Sequence, residues 1–202
     1  MVLNVRSAAP RRLNWGCGPV TPRDWINSDR KAAAGVDLAC DIRAGLPLPD
    51  DGLDYVVSIH ALQDLPYLDV LPALRELWRV LRPGGVLRLG LPDLDRAIEA
   101  YRRQDRGYFL IPDHEVRSLG GKLVVQMLWY GALRSMFTYD FIAELLEKAG
   151  FAAVTRCRFK ETASRYPEIA ELDNREEESL FVEAVKVDGG GCRGRGPRHP
   201  PA

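Results

Sequence analysis

Two glycines follow a short apolar run near the start of the chain, in the segment Leu13-Asn14-Trp15-Gly16-Cys17-Gly18-Pro19. Glycine lets the backbone turn tightly and approach a ligand that a side chain would block. Asp29 closes the next short run, eleven residues after Gly18. A carboxylate at the end of a second strand can accept hydrogen bonds from both hydroxyls of a ribose. The pattern therefore predicts a site for a nucleoside-containing cofactor.

The spacing of this segment also bears on the kind of cofactor. A dinucleotide fold requires a third glycine at the helix start, and Thr21 occupies the corresponding position. Without that glycine, nothing in the segment favours a diphosphate. A nicotinamide-dependent dehydrogenase is the disfavoured alternative of the same fold class.

Strand-like and helical patterns alternate along the rest of the chain. Short strand patterns lie near 12–15, 25–28, 53–59, 85–91, 152–158 and 179–187. Helical patterns lie at about 67–82, after Pro92-Asp93 and at 138–149. This alternation predicts an α/β domain whose mostly parallel sheet is covered on both faces. Ligands of such sheets bind at the carboxyl ends of the strands, where the glycine turn and Asp29 both fall.

The chain length suits one domain, which we place at 12–187 after an irregular lead-in at 1–11. Residues 188–202 are rich in glycine, proline and arginine and offer almost nothing to bury, so we expect a disordered tail. The apolar run at 123–127 is consistent with either a core segment or the surface of a homodimer.

Composition limits the partners and the compartment. Lysine plus arginine and aspartate plus glutamate both number 28, so no overall field attracts a polyanion and no nucleic acid is expected as a partner. The four cysteines include no C-x-x-C pair and are predicted to be reduced thiols. No signal peptide or membrane-length apolar run is present. We therefore expect a soluble, cytoplasmic protein.

Several separated blocks resemble the motifs of class I S-adenosylmethionine-dependent methyltransferases over nearly all of residues 12–187. In chain order they are the glycine segment, Asp29, Asp41-Ile42 with 45–50, Asp54–His60, Arg79–Gly85 and Glu147–Phe151. The resemblance implies a single Rossmann-like domain with a seven-stranded, mostly parallel sheet and helices on both faces. It also implies S-adenosylmethionine as the cofactor.

The resemblance also assigns roles to individual residues. Asp29 corresponds to the ribose-binding acid, Asp41 to the acid that meets the adenine amine and Ile42 to the residue that packs on the adenine ring. Asn14 stands where the family usually carries an acid that orients the amino-acid part of the cofactor. The cofactor-binding residues implied in this way are Asn14, Gly16, Cys17, Gly18, Asp29, Asp41, Ile42 and His60.

Three residues are candidates for the acceptor chemistry: His60, Asp64 and His114. His60 closes a buried strand at the ligand-binding edge, and a histidine pKa near neutrality would suit a general base; an orienting or packing role is equally open. Asp64 stands where relatives often carry a second histidine. Glu115 together with His60 and Asp64 could hold a divalent ion, but no ligand spacing indicates a metal.

The segments 112–140 and 172–184 are similar to a bacterial subgroup linked to saccharide modification, and more narrowly to mycobacterial methyltransferases that act on the 1-hydroxyl of short 3-O-methylated mannosides in methylmannose polysaccharide synthesis. This likeness implies methylation of a sugar hydroxyl on a small saccharide. A cofactor-binding partner protein without catalysis is one alternative. RNA methylation is another, resting on a basic helix face at Arg96, Arg102, Arg103 and Arg106 that solvation explains more simply.

Overall fold

The protein is described by a computed structural model over residues 10–187. A sheet of seven strands lies within this range: β1 Arg12–Trp15, β2 Ile26–Asp29, β3 Leu38–Ala39, β4 Leu53–Ile59, β5 Leu81–Pro92, β6 Phe151–Cys157 and β7 Ser179–Lys186. The strand order is β3-β2-β1-β4-β5-β7-β6. β7 runs antiparallel to both of its neighbours, whereas the pairs from β1 to β5 are parallel. The predicted seven-stranded Rossmann-like sheet is confirmed.

Four α-helices accompany the sheet in the described range: α1 Tyr67–Val80, α2 Leu94–Arg102, α3 Leu119–Leu128 and α4 Tyr139–Ala149. All except α3 correspond to predicted helices. α4 ends at Gly150, whose φ of 106° lies in the left-handed region that favours glycine. None of these helices combines the length and the hydrophobicity needed to cross a membrane. The predicted tail at 188–202 and residues 1–9 of the predicted lead-in lie outside the described residues.

One face of the sheet is closed by α1 and α4. Both helices present an apolar stripe to alternate residues of the central strands, as their three- and four-residue spacing predicted. Fully buried members of this core include Leu13, Val56, Leu74, Leu77, Leu87, Leu89, Ile142, Leu146 and Val182. The indole nitrogen of Trp78 donates to the Gly150 carbonyl oxygen at 3.0 Å and so links the two helices.

The opposite face is covered differently, by short 3-10 helices and irregular chain. The hydrophobic cluster there contains no residue of a described α-helix; it comprises Trp25, Tyr55, Val57, Val86, Tyr166 and Ile169, with Ile59, Leu172 and Val185 at its margin. Much of the cover comes from residues 158–178, which we call the strap. The strap is irregular apart from short 3-10 turns such as Pro167–Ala170.

The apolar run at 123–127 lies in α3 and is partly core. Met127 and Gln126 are buried, and Leu123 packs against a small cluster of Ala100, Phe109 and Leu119. Val124 is exposed. α3 therefore joins α2 in a minor core of its own, and the homodimer stays a prediction.

Candidate cofactor and acceptor site

The glycine turn lies at the carboxyl end of β1, against the segment that follows β4. Gly16 has a φ of 69°, and a Cβ atom at this position would lie 2.2 Å from the Cβ of Ala61. Glycine is therefore required at this position both for the turn and for the close approach of the two loops. Gly18 has a φ of 51°, and a Cβ there would meet no atom within 4 Å. The turn thus leaves open space beside Gly18, as a bound ligand would require.

Asp29 is held next to this space by backbone donors. Its carboxylate accepts hydrogen bonds from the Gly18 amide and the Lys31 amide, both at 3.0 Å. A carboxylate has about four lone-pair sites, so each oxygen keeps capacity for one more donor. Its place beside the open glycine turn suits the two hydroxyls of a ribose, and these residues fit a nucleoside-containing cofactor.

The backbone of Gly16 and Cys17 ties the turn to β2, because both amides donate to the Ser28 carbonyl oxygen at 2.8 and 3.0 Å. The Cys17 side chain is buried, and burial raises the pKa of its thiol with a further rise from the Asp29 carboxylate. A neutral thiol at this position packs and does not act as a nucleophile.

Asn14 supports the loop that links β1 to β2. Residues 16–25 connect these parallel strands without an α-helix, although most parallel connections contain one. The buried Asn14 amide donates to the Val20 carbonyl at 2.7 Å and to Asn27 Oδ1 at 3.2 Å. Asn27 in turn donates to the Pro22 carbonyl at 3.0 Å. The Asn14 nitrogen is therefore engaged in holding the loop, which differs from the cofactor-orienting role that the resemblance implied.

Asp41 and Ile42 also differ from expectation. The Asp41 carboxylate caps the 3-10 turn Ile42–Ala44 and is held by Arg43 through its backbone amide and its guanidinium. These hydrogen bonds from Arg43 lower the pKa of Asp41 to about 2. Ile42 is 5% exposed within the main core, so little of its side chain is free to pack on an adenine ring. An adenine contact for Ile42 is thus disfavoured, and one for Asp41 would share a carboxylate already paired with Arg43.

His60 marks the end of β4 with an unusual backbone. Its φ of 54° is left-handed, a conformation that non-glycine residues adopt rarely and that recurs at functional sites. Its Nε2 lies 2.8 Å from Ser179 Oγ. Ser179 Oγ also lies 2.7 Å from the Arg175 carbonyl, which can only accept. With the serine proton directed there, Nε2 carries the imidazole proton and Nδ1 is the unprotonated nitrogen.

Burial, and after it the positive charge of Arg175, lower the pKa of His60 to about 4. This corrects the expected pKa near neutrality. His60 is consequently neutral at pH 7 but a weak base, since general-base catalysis is most effective when the pKa lies near the working pH.

Asp64 lies on the same loop and is exposed. Partial desolvation by its neighbours raises the pKa of its carboxyl; Arg30 and Arg134 oppose the rise, whereas Asp29 adds to it. The charge of Asp29 acts on Asp64, which indicates that the predicted acceptor residue lies near the predicted cofactor residue.

A cavity of about 190 Å³ opens beside this loop. Its lining combines polar side chains with an apolar wall and consists of His60, Gln63, Asp64, Pro92, Gln126, Met127, Trp129, Ala132, Leu133, Arg175 and Glu178. Three of these residues, His60, Trp129 and Arg175, have left-handed φ values of 54°, 41° and 53°. Such a concentration of unfavourable backbone conformations favours a functional cavity.

The sequence reasoning named His60 and Asp64 but missed most of the cavity. Gln63 lies between His60 and Asp64 in the chain but was given no role, and Gln126 lies on the unpredicted helix α3. Arg175 and Glu178 come from the strap, more than a hundred residues further along the chain. Their position in the cavity depends on tertiary packing. The only signal in the sequence for this part of the chain was the resemblance at 172–184.

His114 is not part of this cavity. Its side chain is 81% exposed and its described charged neighbour is Glu115, at 3.8 Å. The adjacent Asp113 pairs with Arg106 and Lys122 instead, and these contacts lower its pKa. The structure thus does not bring His114 together with His60 and Asp64. Within residues 10–187, no group of three or more histidine, cysteine or acidic side chains is arranged to hold a metal ion.

Comparisons with known proteins agree with this architecture. A family model described as a methyltransferase domain matches residues 24–89. The demethylmenaquinone methyltransferase of Lysinibacillus sphaericus is 32% identical over 115 residues, which cover 54% of this chain and 46% of that protein. The chain thus matches about half the length of this curated relative.

Solved structures extend the likeness over most of the chain. A SAM-dependent methyltransferase of Thermotoga maritima has a TM-score of 0.55 at 19% identity and covers 90% of this chain and 84% of its own. A Burkholderia thailandensis methyltransferase crystallised with 1,6-didemethyltoxoflavin and S-adenosylhomocysteine has a TM-score of 0.51 at 15% identity, with coverages of 89% and 72%. With the sheet order and the domain match, these structures identify the chain as having the class I S-adenosylmethionine-dependent methyltransferase fold.

Proposed function

We propose that the protein is a methyltransferase that uses S-adenosylmethionine and transfers the methyl group to an oxygen acceptor, a hydroxyl of a small saccharide. The observation that carries the proposal is the carboxylate of Asp29, which is fixed by two backbone amides beside the open glycine turn. The same loops lead to the cavity at Asp64. A cofactor pocket next to an acceptor cavity is the arrangement that methyl transfer needs.

The cofactor, when bound, supplies a methyl group already activated by its sulfonium. Asp29 accepts hydrogen bonds from the ribose, and the turn at Gly16, Cys17 and Gly18 makes room for the neighbouring part of the molecule. Asn14 contributes by holding that turn through the Val20 carbonyl. Positioning of the reacting atoms can supply a large share of the rate acceleration.

Asp64 is the base that accepts the proton of the acceptor hydroxyl. Methylation would release this proton, and the Asp64 carboxylate would accept it. A positioned base of this kind contributes about 100- to 10,000-fold. The neutral His60 orients the acceptor through Nδ1, since its pKa of about 4 makes it a weak base.

Isothermal titration calorimetry with S-adenosylhomocysteine and, separately, NAD tests the cofactor part of the proposal. Asp29→Ala should raise the Kd for S-adenosylhomocysteine tenfold or more, because hydrogen bonds to a charged group contribute about 1.5–3 kcal/mol. Asp24→Ala is the matched control, since that aspartate lies near the same loop but is 86% exposed. NAD binding in place of S-adenosylhomocysteine would contradict the proposal and favour a dehydrogenase.

The acceptor has a second candidate. The curated relative is named for demethylmenaquinone, and its identity to this chain makes a quinone the alternative acceptor. No relative described above is named for a mannoside, so the narrower likeness to the mannoside enzymes has no support from them. The charged and amide side chains around the cavity favour a polar, hydroxyl-bearing acceptor over an apolar quinone.

A further inference from the structure

Two glutamine carboxamides lie in the wall of the acceptor cavity with unmet hydrogen-bonding capacity. Gln63 and Gln126 are 2% and 3% exposed. Gln63 Oε1 and Gln126 Nε2 are both buried and have no hydrogen-bond partner among the described residues. Buried polar groups are nearly always paired, and an unpaired one costs about 1–3 kcal/mol. Both residues line the same cavity, which indicates that a ligand completes their hydrogen bonding.

The orientation of the Gln126 amide is determined by its other end. The Leu110 amide donates to Gln126 Oε1 at 2.7 Å. A backbone N–H requires an acceptor, so the oxygen must lie on that side and the amino group is left towards the cavity. Gln126 therefore offers a donor, whereas no contact within the described part of the chain fixes the Gln63 amide, which can present either its oxygen or its amino group.

A hydroxyl group both donates and accepts, so a ligand with several hydroxyls satisfies both amides at once. The lining also contains apolar side chains, among them Met127, Leu133 and Trp129. A lining that combines apolar side chains with hydrogen-bonding amides matches a sugar ring, which has C–H faces and a hydroxylated rim.

We propose that Gln63 and Gln126 select a polyhydroxylated acceptor by hydrogen bonding the hydroxyls that flank the one to be methylated. This inference rests on the proposed methyl transfer and extends it with two specificity residues. Sites that hydrogen-bond a substrate hydroxyl strongly reject analogues that lack it, because the buried partner is then left unpaired.

The decisive variant is Gln63→Met, which keeps the size of the side chain and removes the carboxamide. In the described structure Gln63 makes no side-chain hydrogen bond that the substitution could break. The thermal midpoint of the free protein should therefore be unchanged or higher, as expected when an unpaired buried polar group is replaced by an apolar one of the same shape. Gln126→Met is the second variant, and it also loses the contact with Leu110.

Methyl transfer to α-1,4-mannobiose, a mannoside with a free 1-hydroxyl, to its deoxy analogues and to 1,4-naphthoquinol is then read by mass. Gln63→Met should lower kcat/KM for the mannoside about tenfold, with an unchanged Kd for S-adenosylhomocysteine. In wild type, kcat/KM for the deoxy analogue that lacks the recognised hydroxyl should be lower than for the mannoside by the same factor. In the variant, removal of that hydroxyl should lower kcat/KM little further. Gln104→Met is the control, because that carboxamide is exposed and contacts the Tyr101 carbonyl outside the cavity.

Distinct results would overturn the inference. An unchanged kcat/KM in Gln63→Met, or a thermal midpoint lowered by several degrees, would show that the amide does not select the acceptor. Transfer to naphthoquinol but not to the mannosides, or to neither by a protein that binds S-adenosylhomocysteine, would overturn the inference and leave the cofactor site standing. Absence of S-adenosylhomocysteine binding by wild type would overturn the proposed function itself.

Discussion

The two faces of the sheet are closed by different kinds of chemistry. On one face, α1 and α4 bury a continuous apolar core. On the other, the strap lies over Arg88 of β5, which is fully buried together with Asp173 and Glu183. Apolar contacts are not directional, so an apolar interface tolerates rearranged side chains at a modest cost in free energy. A buried ion cluster requires one arrangement of its hydrogen-bonded partners. The ion cluster, which accompanies the hydrophobic cluster on the strap-covered face, therefore positions the chain that crosses it.

A buried guanidinium needs an acceptor for each of its N–H donors, and Arg88 has them. Its five N–H donors are all used: by Asp173 twice, by Glu183, and by the carbonyl oxygens of Glu161 and Arg158. All of these partners except Glu183 belong to the strap. The strap continues into Arg175 and Glu178 of the acceptor cavity and leads to Ser179, which contacts His60. The buried cluster thus lies beneath the segment that completes the candidate site.

The largest expected effect follows from removing the charge at the centre of this cluster. Arg88→Met leaves two buried carboxylates without their cation, and breaking such a cluster typically costs 3–5 kcal/mol, so we expect a loss of about 4 kcal/mol in the free energy of unfolding. Urea unfolding measures it. Arg103→Met is the control, because its pair with Glu99 is exposed and contributes little. A loss below 1 kcal/mol for Arg88→Met would break the proposed contrast between the two faces.

A comparable substitution on the helical face should lower the free energy of unfolding somewhat less than Arg88→Met does, and it should leave the candidate site unchanged. Leu77→Ala removes a fully buried side chain of α1 and should lower the free energy of unfolding by about 3 kcal/mol through lost burial and a cavity. The acceptor KM of the folded protein should stay unchanged, whereas Arg88→Met should raise it by displacing the strap. Equal KM values in both folded variants would show that the strap does not position the acceptor cavity.

The smallest predicted effect is a pH dependence of the free energy of unfolding. It comes from His60, which lies where β4 meets the strap. The pKa of His60 is about 4 in the folded protein and about 6.5 in an unfolded chain. The unfolded state therefore binds the extra proton between these values, and stability falls as pH drops from about 6.5 to 4. At pH 5 the loss is about 2 kcal/mol.

His60→Asn should remove this dependence, because asparagine cannot be protonated and tolerates the left-handed backbone at this position. Denaturant unfolding at pH 7 and pH 5 compares the two proteins. A wild-type stability that declines no more than that of the variant would contradict the assignment. The ion pair of Asp41 affects a lower range, since the pKa of that carboxyl is about 2 and its contribution is lost only below pH 4.

Local sequence patterns predicted those elements whose structure depends on interactions between residues close in the chain. The helical stripe of α1, the end of α4 at Gly150 and the turn at Gly16 all depend on neighbours in the chain or on backbone freedom at one residue. α3 was missed although its N-cap Ser118 accepts from the Gly121 amide, because two glycines in its first turn weaken the helical pattern. His114 was grouped with the site by residue type, but its position on an exposed loop separates it from the other candidates.

The sequence by itself determined the alternating α/β architecture, the glycine turn and the position of Asp29, since hydrophobic periodicity and glycine conformation act over a few residues. The tertiary structure decided which side chains share the cavity, that Asn14 holds a loop, and that the pKa of His60 is low. Those properties depend on burial and on charges brought together from distant segments. A pKa or an unpaired amide is set by its surroundings in space, which no local pattern encodes.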